Sequence, residues 1–304
     1  MADSDKNANF NYNYSKFLEK LKKESFVFTF EVGRLKKFAI KEVLKEVSRV
    51  REFFDAFVVP NNPFAKSFPH PLALCSELQR RSGVETVMTI CCRDKNRLAI
   101  ESEVLGAVIL NIRNIVVVTG DFSIMDRDIK PVFDIDSIQA VKMIKNIIDG
   151  ENLLSELKLE RKPELHVGVV VNLSAKSLEK EKERFFMKVD AGAEYAFTQM
   201  VFDPEVLTSF RDSIGRFPIP IIVSIYPIIS REQINFLMSF PSFNVPSWII
   251  EHFREKEKNV KIGIKNCVEI AVKARELGFN GIHVICKDTN LATQLIEEIK
   301  QEVD

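Results

Sequence analysis

The chain has 304 residues, 46% of them hydrophobic, and its 43 Lys and Arg residues balance 43 Asp and Glu residues. This length allows one large domain or two small ones, and a net charge of zero argues against a nucleic-acid or membrane surface as the main partner. The five cysteines are odd in number and lack C-x-x-C spacing, which argues against a disulfide framework and a standard zinc site. We expect reduced, buried thiols in a cytoplasmic protein, because no run of about 18 apolar residues predicts a membrane span.

Eight short runs rich in Val, Ile, Phe and Thr predict β-strands. In chain order they are Phe26–Val32, Phe53–Val59, Val84–Cys92, Arg113–Thr119, Leu165–Val171, Glu194–Met200, Pro218–Tyr226 and Phe279–Cys286. Apolar residues at spacings of three and four between them predict amphipathic helices, most clearly over Lys95–Ile112, Ser137–Ile148 and Ile264–Leu277. Asp134 or Asp136 is expected to cap the helix that begins at Ser137.

Eight strand–helix repeats in about 280 residues predict a (β/α)8 barrel, with a doubly wound open sheet as the alternative. Residues 16–304 are expected to form this single domain, with extra room for a loop or helix after the fourth and seventh strands. Residues 1–15 are rich in Asn and Asp, lack the apolar core of a signal peptide, and are interpreted as a disordered lead. Asn11–Glu24 is also interpreted as an extra helix that closes the bottom of the barrel.

Catalytic groups of such barrels lie at the carboxyl ends of the strands and in the loops that follow. Glu31 ends the first strand inside an apolar run, where a desolvated carboxyl has a raised pKa and can act as a general acid. A buried salt bridge is the alternative interpretation of Glu31. Asp121 follows Gly120, which lets the backbone approach a ligand closely, and a turn or helix cap is its alternative role. The four histidines have no metal-ligand spacing, and no Rossmann or P-loop motif occurs.

Five motifs occur in order along the chain. They are CRDKNR at Cys92–Arg97, TGD at Thr119–Asp121, KPVFDIDS at Lys130–Ser137, KVDAGA at Lys188–Ala193 and TQMVFD at Thr198–Asp203. From about Phe26 to Ile299 the chain resembles the methylenetetrahydrofolate reductase family, in the short form without a regulatory domain. The resemblance implies a flavin-dependent (β/α)8 barrel of one-carbon metabolism and methionine biosynthesis. Such an enzyme reduces the methylene group of a tetrahydropterin to a methyl group with hydride from reduced flavin.

The same resemblance implies roles for single residues. Glu31 is expected to protonate the pterin, Asp121 to lie beside the flavin and the pterin, and Gln199 to hydrogen-bond the pterin or a nicotinamide. The substrate-binding residues are expected to be Gln199, Tyr226 and Leu237, the last standing near a position where the family has a stacking Phe. The expected flavin-binding residues are Asn62, Thr89, Thr119, Gly120, Phe133, Asp134, Asn172 and Lys188.

Several alternatives stay open at the level of sequence. The cofactor is expected to be FAD, with FMN as the alternative, and the pterin is a folate or a methanopterin-like analogue. The electron donor is NAD(P)H, a deazaflavin or a redox partner protein, and a homo-oligomer is expected by analogy. Val32-Gly33-Arg34 follows Glu31 where the family commonly has an aromatic residue and two prolines. A flavin-free pterin-binding methyltransferase and a non-catalytic partner subunit are the rival functions.

Overall fold

The computed structural model of the chain describes residues 14–23, 25–32, 39–120, 129–150, 162–240 and 243–303. In them, parallel strands pair in sequence order and the last strand pairs with the first, which closes a barrel. The strands are β1 (Val27–Glu31), β2 (Ala56–Val59), β3 (Thr86–Cys91), β4 (Asn114–Val118), β5 (His166–Val171), β6 (Tyr195–Thr198), β7 (Ile221–Ile225) and β8 (Gly281–Val284). The predicted (β/α)8 barrel is confirmed, and the open sheet is wrong.

The helices lie outside the sheet, apart from the first. They are α1 (Lys16–Lys22), α2 (Ile40–Val50), α3 (Pro71–Ser82), α4 (Arg97–Ile109), α5 (Ser137–Asp149), α6 (Leu178–Asp190), α7 (Glu205–Ile214), α8 (Arg231–Met238), α9 (Ser247–Glu255), α10 (Val260–Glu276) and α11 (Thr289–Val303). Asp136 caps α5, because its carboxylate accepts from the N–H groups of Ile138 and Gln139. Asp134 instead accepts from the backbone N–H of Arg97, in the first turn of α4.

Aromatic side chains fill the lower interior of the barrel. Phe17 of α1 meets Tyr195 edge to face at 5.5 Å, and Tyr195 meets Phe197 at 6.0 Å. The hydroxyl of Tyr195 donates to the carbonyl of Ile115, so the buried ring leaves no unpaired polar group. Gly168 faces this ring, and a Cβ there would lie 2.3 Å from it. A glycine in β5 therefore makes room for the largest side chain inside the barrel.

The helix α1 closes the amino-terminal end of the strands, as the sequence predicts. Its buried residues Phe17, Leu18 and Leu21 join the interior cluster of strand residues. The helix begins at Lys16 rather than near Asn11, because the Ser15 hydroxyl accepts from the N–H of Leu18 as an N-cap. Ser15 is itself buried, so it belongs to the fold, whereas residues 1–13 of the predicted lead lie outside the described residues.

An insertion of two helices, α8 and α9, follows β7 before α10 continues the barrel. This confirms the extra room predicted after the seventh strand. The insertion has its own apolar cluster, which includes Phe202, Leu237 and Phe253. Phe64, in the loop after β2, contacts Phe236 at 5.1 Å. The insertion follows β7 and Phe64 follows β2, and the strands β8 and β1 lie between these two in the barrel. The contact therefore lies on the side of the mouth where β1 ends.

Truncation of the plug residue Phe17 is expected to destabilise the whole barrel. Phe17→Ala should lower the free energy of unfolding by about 3–5 kcal/mol, because the ring is fully buried and leaves a cavity. Denaturant unfolding measures this loss. Phe186→Ala, at an exposed position of α6, is the matched control and should cost far less. A loss equal to that of the control would show that α1 only lies against the barrel.

Candidate active site

The mouth of the barrel, at the carboxyl ends of the strands, has a floor of small side chains. Thr89 of β3, Val118 of β4 and Val170 of β5 occupy alternate, inward-facing strand positions and are half-buried. Val118 and Val170 pack against the interior cluster from above. Three neighbouring strands thus present small and mostly apolar side chains to the mouth. Such a surface suits the face of a planar ring.

Glu31 ends β1 at this mouth and has a side chain that is 25% exposed. Its Oε2 lies 4.0 Å from Nε2 of His283, which is buried in β8. The other ring nitrogen of His283, Nδ1, lies 2.9 Å from the Thr29 hydroxyl. Which of Nδ1 and the Thr29 hydroxyl donates in this hydrogen bond depends on the imidazole tautomer.

The imidazole of His283 is neutral at physiological pH. Burial lowers the pKa of His283 to about 3, although a hydrogen bond to the backbone of Thr29 acts in the opposite direction. Phe197 lies against the ring at 5.0 Å, which adds to its apolar surroundings. The approach of His283 to Glu31 is therefore not a salt bridge. It brings a neutral polar group to the carboxyl at the edge of the barrel floor.

Gln199 and Tyr226 lie on the far side of the mouth, after β6 and β7. Gln199 donates its backbone N–H to the Val171 carbonyl, and its side-chain oxygen accepts weakly from the N–H of Met200 at 3.3 Å. The Gln199 side chain is half-buried at the mouth, where its amide nitrogen can act as a hydrogen-bond donor. The Tyr226 hydroxyl accepts from the side chain of Gln233, which also completes the cap of α8.

Three of the expected flavin-binding residues gather around the turn after β3. Asn62 donates to Asp94 of that turn, and the carbonyl of Thr119 accepts from the N–H of Arg93. The Thr119 side chain is bonded to Ser137 at the start of α5. Gly120 has φ +93°, a conformation that glycine adopts without strain.

The remaining flavin-binding predictions are more widely spread. Phe133 is half-buried with φ +41°, and Asp134 is exposed. The Asn172 side chain accepts from the N–H of Ser174. Lys188 is buried on α6, where its ammonium donates to the carbonyl of Val170 and lies 3.9 Å from Glu181. Burial lowers the pKa of Lys188.

Asp121 and the segment that includes Gly33 and Arg34 lie outside the described residues. Their predicted roles stay predictions. Leu237 of α8 is buried in the cluster of the insertion, while its neighbour Phe236 is half-buried and contacts Phe64. Of these two neighbours, Phe236 is the one with a ring that can be presented to a ligand.

His283 and Phe64 are site residues that sequence reasoning missed. A single histidine within the apolar run Phe279–Cys286 was the available signal for His283. Its position next to Glu31 depends on the closure of β8 against β1, with Thr29 paired to His283 in register. Phe64 carried no signal of its own, because its role depends on the folded insertion.

A cleft of about 700 Å³ lies at the opposite end of the barrel, beside α1. Its lining includes Tyr14, Lys20, Asp55, Gln79 and Arg113. Lys20 is paired with Asp55 there. We assign the chemistry to the mouth instead, because Glu31, Gln199 and the small-residue floor converge at the carboxyl ends of the strands. No cluster of metal-ligand residues occurs in the described part of the chain, and none of its helices is long and apolar enough to cross a bilayer.

Proteins of known name resemble this chain over much of its length. The 5,10-methylenetetrahydrofolate reductase of Buchnera aphidicola subsp. Schizaphis graminum is 24% identical over 191 residues, which are 62% of this chain and 60% of that protein. The protein of the same name from Escherichia coli K12 is 26% identical over 179 residues, 58% of this chain and 55% of that protein. Methylenetetrahydrofolate reductase 2 of Schizosaccharomyces pombe is 22% identical over 256 residues, 76% of this chain and 40% of that protein. The chain thus spans between 40% and 60% of the length of these relatives.

The fold has solved relatives beyond these sequences. The crystal structure of 2,3-dimethylmalate lyase, a PEP mutase/isocitrate lyase superfamily member, covers 94% of this chain and 85% of its own, with a TM-score of 0.54. At 10% identity, this likeness concerns the fold alone. A family model described as methylenetetrahydrofolate reductase matches residues 16–301. Because this match covers nearly the whole barrel, the chain belongs to the methylenetetrahydrofolate reductase family.

Proposed function

We propose that the protein is a flavin-dependent reductase that converts a 5,10-methylene-tetrahydropterin into its 5-methyl form. The observation that carries the proposal is the position of Glu31 beside the open floor of the barrel mouth. Family membership supports the reaction class, since the relatives carry the name methylenetetrahydrofolate reductase. The substrate of this chain is then a folate or a folate-like pterin.

The residues of the mouth fit a flavin. The floor of Thr89, Val118 and Val170 would support the ring system, because these small, half-buried side chains leave the space above the floor free. Amide groups for its polar edge are available on Asn172 and Gln199. Thr119, Gly120, Phe133 and Asp134 would hold the remainder, and FAD is the expected form. When bound, the flavin supplies the hydride, which no amino-acid side chain can carry.

Lys188 is the weakest of the proposed flavin ligands. Its ammonium already has the Val170 carbonyl and the Glu181 carboxylate as partners, which account for a buried cation without a phosphate. Asn62 is likewise engaged, by Asp94 and by the N–H of Phe68. We propose that Asn62 acts by fixing the conformation of its own loop. Lys188 contacts the flavin only if its ammonium group breaks its hydrogen bond to the Val170 carbonyl of β5.

Glu31 is the proposed general acid of the reaction. Protonation of the bridging pterin nitrogen by its carboxyl opens the methylene bridge to an electrophilic iminium. His283, which burial keeps neutral, is the neighbour of this carboxyl at 4.0 Å. Gln199 would orient the pterin through its amide, and Asp121 would stabilise the iminium charge. The electron donor and the oligomeric state are open, with NAD(P)H, a deazaflavin and a redox protein as the candidate donors.

Flavin binding at the floor is the first test. Wild-type protein reconstituted with FAD should be yellow, and Val118→Phe should weaken FAD binding at least tenfold because its ring occupies the floor. Leu110→Phe, at the rim of the opposite cleft, is the matched control and should bind FAD normally. Fluorescence titration gives the affinities, and circular dichroism confirms folding. The mouth is the wrong site if Val118→Phe binds FAD like the wild type while Leu110→Phe does not.

Glu31→Gln should separate the two half-reactions. Glutamine fills the same volume but cannot donate the proton, so the variant should fold and its bound flavin should be reduced at a near-normal rate. Reoxidation by the methylene pterin should slow by roughly 10²-fold or more. Stopped-flow absorbance measures both rates, and Glu164→Gln, at the other end of the barrel, should change neither. Equal losses in both half-reactions would assign Glu31 a structural role.

A further inference from the structure

A buried arginine lies at the centre of the mouth's walls. Arg93 follows β3 in a single helical turn, Cys92–Asp94, and its residue surface is only 3% exposed. Its guanidinium holds the carboxylate of Asp94 with two bonds, Nε to Oδ1 at 2.7 Å and the terminal nitrogen to Oδ2 at 2.9 Å. The same terminal nitrogen donates to the backbone carbonyl of Asn62 at 3.2 Å. The guanidinium group of Arg93 thus links the end of β3 to the loop after β2.

The backbone of Arg93 joins two further segments. Its N–H donates to the carbonyl of Thr119 at the end of β4, at 2.9 Å. Its own carbonyl accepts from the N–H of Val132, in the segment that leads to α5, at 2.8 Å. Four parts of the mouth's wall therefore meet at one residue. Each of the other three carries predicted flavin-binding residues, namely Asn62, Thr119 with Gly120, and Phe133 with Asp134.

Close packing around Arg93 fixes the shape of these segments. A Cβ on Gly120 would lie 2.6 Å from Cβ of Arg93 and 2.7 Å from Sγ of Cys91, so only glycine fits there. Asn62 has the left-handed backbone conformation, φ 43° and ψ 55°, which costs a non-glycine residue energy. Its side chain donates to Asp94 and accepts from the N–H of Phe68. These bonds hold the strained loop in place.

The carboxyl of Asp94 is held in its ionised form. Burial opposes ionisation of Asp94, but hydrogen bonds from Arg93 and Asn62 outweigh it and lower the pKa of Asp94. An ionised Asp94 keeps the two-bond geometry that the planar guanidinium requires. A lysine ammonium is a point charge and cannot hold the carboxylate by two parallel bonds while it also reaches the Asn62 carbonyl.

We propose that Arg93 is the positioning residue of the flavin site, fixing the loop after β2, the end of β4 and the segment before α5 in one arrangement. This inference rests on the proposed function. Arg93 acts through Asn62, Gly120 and Phe133, since its guanidinium is buried and turned toward Asp94. The predicted flavin contacts on these segments are then already in place before the ligand arrives, which saves the cost of ordering them.

The test compares Arg93→Lys with Arg113→Lys in the full chain. Arg113 is the matched control, because it is also largely buried and paired with a carboxylate, Glu164 at 3.3 Å, but lies at the other end of the barrel. Arg93→Lys should raise the FAD dissociation constant at least tenfold and change the visible circular dichroism of the bound flavin. Arg113→Lys should leave both within twofold of the wild type, even if the two variants lose similar thermal stability.

Amide hydrogen exchange of the flavin-free proteins tests the positioning separately. Exchange at Phe68 and Val132 should quicken at least tenfold in Arg93→Lys and stay unchanged in Arg113→Lys. Unchanged exchange, or FAD affinity and circular dichroism equal to the wild type, overturns the role of Arg93. If Arg93→Lys folds poorly, Asp94→Asn takes its place, because asparagine keeps the shape of Asp94 but loses its charge. Asp94→Asn should then show the weaker FAD binding and the quicker exchange expected of Arg93→Lys. If exchange quickens in Arg93→Lys but the wild-type protein binds neither FAD nor FMN, the positioning role of Arg93 is supported and the flavin function is refuted.

Discussion

The way the barrel interior is filled determines where chemistry can occur in this protein. Below the floor, Phe17, Tyr195 and Phe197 occupy the axis, and α1 closes the end. Above it, three consecutive strands contribute small side chains at inward positions, among them Thr89, Val118 and Val170. Among the described residues, this surface is where a ring-shaped ligand can enter the barrel, and the groups that act on such a ligand would come from the strand ends around it. Gly168 is part of this arrangement, because a side chain there would overlap the ring of Tyr195.

The two sides of the mouth have different electrostatic characters. On the β8–β1 side, Glu31 lies near a histidine that burial keeps neutral. On the β3–β4 side, the guanidinium of Arg93 bonds to the carboxylate of Asp94 and to the backbone carbonyl of Asn62. The proposed proton donor and the buried arginine thus stand at the ends of different strands, β1 and β3. This separation suits a site in which one group must release a proton while the walls stay rigid.

Much of this architecture can be read from the sequence, because buried parallel strands are near-continuous apolar runs and helices between them repeat every three to four residues. The position of Glu31 at a strand end follows from the same pattern. Its neighbour His283 does not, since the two meet only when strands some 250 residues apart close the barrel. The hydrogen bond of Lys188 to β5 and the burial of Leu237 also depend on tertiary packing, which no local sequence pattern encodes. Arg93 stands within a recognised motif, but its bonds to other segments depend on the loops that follow two other strands, β2 and β4.

The most direct test of the account is a crystal structure of the protein with bound FAD. The account predicts the flavin ring on the floor formed by Thr89, Val118 and Val170, with one face open toward Glu31 and Gln199. It further predicts that Arg93, Asp94 and Asn62 keep the bonds they have without ligand. A flavin bound in the cleft beside α1, or a mouth that stays empty at saturating FAD, would contradict it.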